Sequence, residues 1–176
     1  MNTIRHTLNQ ALGQLDAAGG WLGLLSLRLI LAWEFGEAGL EKWRGSNWFA
    51  EIQDQFPWPF HLIPTDWNWA LATGFELAGA LALLMGLGTR FFAASLMVRT
   101  VVAMLSVHWP DAWSSLAELA RGYAFTDKGH GNFKLPVIYL AMLWPLVLMG
   151  PGRLSLDALW RVRLGQPTPR LLQPQT

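Results

Sequence analysis

Four apolar runs, at residues 21–40, 67–87, 91–109 and 135–149, limit what this chain can fold into more than any other feature. At 1.5 Å of rise per residue, about 20 helical residues cross a hydrocarbon layer of roughly 30 Å, so the first three runs fit a membrane and the fourth falls a few residues short. The stretch 123–134 is expected to supply the missing turn. A soluble four-helix bundle would need a polar face on each helix, yet 77–87 and 98–107 are apolar nearly all round, with Arg99, Thr100 and Ser106 as the exceptions. The expected fold class is therefore all-α, an integral membrane four-helix transmembrane bundle, and 52% hydrophobic against 14% charged residues agrees with it. Trp21, Trp43, Trp67, Trp109 and Trp160 stand at or near the ends of the runs, where indole rings favour the boundary between hydrocarbon and water.

The runs divide the chain into an N-terminal arm (1–20), a membrane domain (21–160) with spans at about 21–42, 67–87, 90–109 and 132–150, and a C-terminal tail (161–176). The arm lacks the compact apolar core and cleavage site of a signal peptide and is expected to be short and uncleaved. Gly86-Leu87-Gly88-Thr89-Arg90 is too tight a link for anything but antiparallel neighbours. Pro136 falls where a first-turn proline is harmless, whereas Pro145 is expected to kink the fourth helix. Both long connections, 44–66 and 110–134, then lie on one side of the membrane, and the first, with Phe56-Pro57-Trp58-Pro59-Phe60, is expected to lie on the membrane surface or cap the bundle. Arg5, Arg90, Arg153, Arg161, Arg163 and Arg170 fall on the opposite side, against Lys42, Arg44, Arg121, Lys128 and Lys134 on the loop side. That slight excess favours cytoplasmic termini, with the C-terminal arginines near anionic lipid.

Ionisable residues inside apolar spans carry the functional signal. Arg28, Glu34 and Glu37 fall in the first span, Glu76 in the second and Arg99 in the third, with Lys42 and His108 near the loop-side ends. A charge at a helix centre costs about 2.5–3.5 kcal/mol on insertion scales, so these groups are expected to face the interior and to pair. Glu76 and Arg99 sit at similar depth on adjacent helices and form the first expected pair. Glu34 and Glu37 share a helical face and are expected to join Glu76 and Arg99 in a polar pocket whose charge Arg28 and Lys42 balance. Such a pocket suits a quinone head group, a proton or solute path, or a buried ionic frame that only sets helix register.

Other chemistries find less support. A net charge of +1 with scattered basic residues offers nothing to nucleic acid. The absence of cysteine removes disulfides, thiolate metal sites and thiol nucleophiles. His61, His108 and His130 all fall on the loop side and are weak metal candidates, because their spacing matches no known ligand pattern. Neither Gly86-Leu87-Gly88 nor Gly129-His130-Gly131 follows a strand and opens a phosphate-binding helix.

Arg28, then Phe35-Gly36-Glu37-Ala38-Gly39-Leu40-Glu41-Lys42, then Phe75-Glu76-Leu77-Ala78-Gly79, the Gly86 to Arg90 turn and Gly150-Pro151-Gly152-Arg153-Leu154-Ser155-Leu156-Asp157 occur in an order that resembles the DoxX family over roughly 27–159. The resemblance implies a four-helix bacterial inner-membrane protein with membrane lipid around it. The family takes its name from a subunit of a thiosulfate:quinone oxidoreductase, so quinone and a redox partner protein are the implied associates. The family pattern falls on Arg28, Gly36, Gly39 and Lys42, on Glu76, on Gly86 and Arg90, and on Gly152 and Asp157. Leu96-Met97-Val98 and Val107-His108-Trp109 look similar to DoxX-like members encoded beside copper-responsive peptide-maturation genes, which places copper second to quinone. Without haem-attachment or flavin motifs, redox work would draw on bound quinone or on a cofactor held by a partner.

Overall fold

The computed structural model describes the backbone of residues 2–165 and the side chains from Arg5 onward; Arg170 and most of the expected 161–176 tail lie outside the described residues. Among the described residues six α-helices follow in order: α1 (Asn2–Arg44), α2 (Thr65–Met85), α3 (Thr89–Ala103), α4 (Leu116–Arg121), α5 (Lys134–Met149) and α6 (Leu156–Arg163). There is no strand among the described residues. The protein is an all-α membrane protein in which three helices are long and apolar enough to cross a bilayer: α1, α2, and α3 with its continuation to His108. The fourth apolar helix, α5, has 16 residues and is about 24 Å long, and it packs against α1 and α3.

Two boundaries differ from the sequence expectation. The arm is not a separate segment, because α1 runs unbroken from Asn2, through Gly13, Gly19 and Gly20. No proline interrupts it, and glycine lowers helix propensity without forbidding a helix. The fourth span gains no turn from 123–133. There Asp127 Oδ1 accepts the backbone N–H groups of Gly129, His130 and Gly131 and holds a compact non-helical turn. The third span ends in a π-helical turn, Met104–His108, and Trp109 is extended because Pro110 disfavours helical geometry in the residue before it. Pro136 lies in the first turn of α5 as expected, and α5 passes through Pro145 and ends four residues later at Met149.

The core joins four helices through Leu24, Leu31 and Phe35 of α1, Leu83 of α2, Leu96 of α3, and Leu143 and Leu146 of α5. Small residues set its close contacts. A Cβ added to Gly39 would come within 2.9 Å of Leu77 and 3.2 Å of the Glu76 Cβ, so α1 and α2 approach here at a distance only glycine allows. The first long connection folds inward as a cap. Phe49 and Phe56 are buried against Ala72 and Val102, and the Phe49 ring stands edge-on to both Phe56 and Trp69 with centroids 5.0 Å apart. In the second connection Ser115 caps α4, while the hydroxyl and amide of Ser114 bond to Glu118 and hold its carboxyl below the usual range.

Candidate functional site

The expected polar groups separate into two clusters rather than one pocket. Arg28 belongs to the first, at the end of the bundle where α2 turns into α3. It is fully buried, and it donates from Nε to Leu83 O (2.7 Å), from Nη2 to Leu84 O (3.0 Å), and from Nη1 to Pro151 O (2.9 Å) and Leu154 O (2.7 Å). The last carbonyls of a helix have no partner within it, so one guanidinium closes α2 and ties it to the segment after α5. Asp157 completes the knot by accepting Gly88 N–H at 2.9 Å and Thr89 N–H at 3.1 Å, the free amides at the start of α3. Gly86 has φ +68, and a Cβ there would collide with Ser155 and approach Arg28 Nη2 within 2.7 Å. Arg90 donates to Leu148 O at 3.1 Å, and Gly152, with φ +79, packs beside Leu24. Arg28, Gly86, Arg90, Gly152 and Asp157 therefore share one structural junction. The expectation that Arg28 balances the pocket's charge is corrected: its donors are taken up by backbone carbonyls at the far end.

Glu76 anchors the second cluster, ten residues and about 15 Å along α2 from Gly86. Its carboxylate is 5% exposed and meets two cations, Lys42 Nζ at 2.9 Å from Oε2 and Arg99 Nε at 3.5 Å from Oε1. The expected Glu76–Arg99 contact is present, and Lys42 joins it from α1, where the Gly39 approach brings the two helices together. Neither contact has hydrogen-bond geometry, so Glu76 Oε2 and Arg99 Nε remain buried without a hydrogen-bond partner. Two cations facing one carboxylate leave the trio with a formal charge of +1 in an apolar setting.

Arg99 also lines a cavity of about 260 Å³ between α2 and α3. Phe49, Phe56 and Phe60 of the capping loop roof it, Asn68, Ala72 and Val102 form its inner wall, and Leu71, Phe75 and Val98 form its outward-facing side. The Arg99 guanidinium carbon lies 5.5 Å from the centre of the Phe49 ring. Asn68 fixes the roof by donating to Phe60 O at 2.7 Å. The walls are thus mainly apolar, and the lining includes an arginine whose Nε has no hydrogen-bond partner.

Glu34 and Glu37 do not join this cavity. Glu34 accepts the Tyr139 hydroxyl of α5 in a short hydrogen bond, and Glu37 is exposed in a separate groove with Trp33, Leu40, Glu41 and Arg44. His108 is also elsewhere, with Nδ1 2.8 Å from Asn132 Oδ1, where it pins the second connection to the end of the third span. His61 lies on the first connection and His130 within the Asp127 turn, and the described residues contain no group of three or more metal-binding side chains. Sequence alone does not single out Tyr139, Asn68 or the Phe49 roof, because their role depends on which helices meet. Asn68 alone left a signal, an amide at the edge of an apolar run.

Comparison with known proteins places the chain by sequence. Residues 23–109 match the sequence profile of the DoxX family, a stretch that holds Arg28, Lys42, Glu76, Arg99 and the Gly86 turn. An uncharacterized protein of Haemophilus influenzae (strain ATCC 51907 / DSM 11121 / KW20 / Rd) is 47% identical over 146 residues, covering 83% of this chain and 88% of that protein. No solved structure matches.

Proposed function

We propose that this chain, which belongs to the DoxX family, is a bacterial inner-membrane subunit that binds the head group of a quinone between α2 and α3 and serves a redox partner. The observation that carries this reading is Arg99, a partly buried guanidinium whose Nε has no hydrogen-bond partner, in the lining of a mainly apolar cavity. A ring with carbonyl oxygens supplies the acceptors such a group lacks, and its flat apolar faces suit Phe49, Phe75 and Val102. The volume of about 260 Å³ lies just below the roughly 300–1,000 Å³ of small-molecule sites, so it admits a head group and excludes a long tail. Leu71 and Val98, 45% and 53% exposed, mark the side on which a tail would meet lipid.

In this reading Arg99 holds an oxygen and Glu76, 3.5 Å from Arg99, is the carboxylate that exchanges a proton there, with Lys42 against its other oxygen. Reduction of a quinone to a quinol consumes two electrons and two protons; the partner's reductant supplies the electrons. The termini face the cytoplasm, where α6 presents Arg161 and Arg163 beside exposed Leu159 and Trp160, the composition of a helix at an anionic lipid surface.

The test is native mass spectrometry of the full chain extracted gently from its own membrane, with solvent extraction of the same sample to identify quinone. Stoichiometric quinone in the native protein, and at least about tenfold less in a folded Arg99→Met variant, is the expected result. Quinone equally retained by Arg99→Met, or absent from the native protein, overturns the reading and turns attention to proton or solute flux in liposomes.

A further inference from the structure

With 43 residues, α1 is about 65 Å long, twice the hydrocarbon thickness, so roughly its first 20 residues extend beyond the bundle. The side chains from Arg5 to Gly19 are exposed, and a single helix of roughly 20 residues containing Gly13, Gly19 and Gly20 is marginal in water on its own. This segment nevertheless carries a regular pattern. Leu8, Ala11, Leu15, Ala18, Leu22 and Leu25 alternate at spacings of three and four, the a and d positions of heptads. Leu8, Leu15 and Leu22 are 60%, 67% and 57% exposed. Within the span, Leu24, Arg28 and Leu31 face the bundle, and Leu22 and Leu25 fall outside that stripe.

We infer that this stripe is the contact surface for a second copy of the same chain, in a parallel two-helix coiled coil that begins outside the membrane and enters it. Two copies inserted with the same topology are necessarily parallel, and the bilayer holds them at equal depth, so each Leu meets its own counterpart in register. No charged side chain stands on the stripe, and Arg5 and Asp16 lie off it, so no like-charge contact opposes the pairing. The contact runs about 26 Å from Leu8 to Leu25 and would bury on the order of 1,000 Å², the area a specific interface needs. Leu22 and Leu25 carry the contact into lipid, where packing replaces the hydrophobic drive. The cavity at Arg99 plays no part in this pairing.

The chain contains no cysteine, which makes the test direct. Single substitutions Leu15→Cys, Ala18→Cys, Asp16→Cys and Gly13→Cys in the full chain, oxidised in native membranes and in lipid nanodiscs, report which positions face a partner. Only residues whose Cα atoms come within about 7 Å can form a disulfide. The expected result is a product of twice the chain mass at Leu15→Cys and Ala18→Cys, at least about fivefold stronger than at Asp16→Cys and Gly13→Cys. Equal cross-linking at all four positions, none at any, or a product of another mass that shows a different partner would each overturn the proposal. Leu8→Gln with Leu15→Gln should convert the purified protein from dimer to monomer while leaving its bound ligand content unchanged; an unaltered mass would count against the pairing.

Discussion

Two arginines within the bundle, Arg28 fully buried and Arg99 partly buried, sit in opposite kinds of surroundings. Arg28 meets four carbonyl oxygens at 2.7–3.0 Å, and the neighbouring Asp157 meets two amides. Within that junction the Thr89 hydroxyl is the buried polar atom left without a partner. Arg99 faces a carboxylate at 3.5 Å, a phenyl ring and an apolar cavity. All three guanidinium nitrogens of Arg28 have hydrogen-bond partners, whereas Arg99 Nε has none. Both arginines look alike in a hydropathy profile, and the difference lies in what the neighbouring backbone offers each of them.

The sharpest way to break this comparison is Arg28→Met. It strands four carbonyls in a site closed to water and should cost about 4 kcal/mol, read as a large drop in the unfolding midpoint in detergent. A midpoint within error of the parent would show that Arg28 holds nothing. Glu76→Gln comes next: it leaves Lys42 and Arg99 without their counter-charge and should cost about 3 kcal/mol, while Glu76→Gln combined with Arg99→Met should recover at least about 1 kcal/mol of that. Simple additivity in this double-mutant cycle would remove the coupling.

Gly86→Ala tests the junction without touching charge. A left-handed residue gains a Cβ that meets Ser155 and Arg28, for a loss of about 2 kcal/mol in the same unfolding assay. Arg99→Met alone should change stability by less than about 1 kcal/mol in either direction, because Lys42 and Glu76 remain as a neutral pair. If it proves as damaging as Arg28→Met, the contrast between the two arginines collapses.

The smallest effect is expected away from both clusters. The hydrogen bonds from Ser114 depress the Glu118 carboxyl, so their contribution is fully present above its ordinary value of 4.5 and is lost as pH falls through the lower folded value. Hydrogen exchange of the α4 amides should therefore lose protection in acid, after correction for intrinsic rates, with no matching change in α2. Protection unchanged down to the acid limit would show that the Ser114 bonds do not hold α4.

Much of the fold was legible residue by residue. The antiparallel α2–α3 pair was readable from Gly86 to Arg90, and the Glu76–Arg99 contact from their equal distances to that turn. Lys42 was legible as a charge at the end of a span, but its reach to Glu76 depends on how closely α1 approaches at Gly39. Grouping Glu34 and Glu37 with Glu76 failed because three residues along a helix preserve a face without saying which neighbour that face meets. Tyr139 on α5 claims Glu34 instead.

By itself, the sequence determined that this is a membrane protein of long apolar helices with charges inside them, because hydropathy and helical period are local properties of a chain. Tertiary structure decided what each charge is for. The partner of a side chain depends on the rotation and depth of the helix beside it, and one residue of register turns a helix by about 100°. That rotation separates an arginine that closes a helix end from one that waits at a cavity.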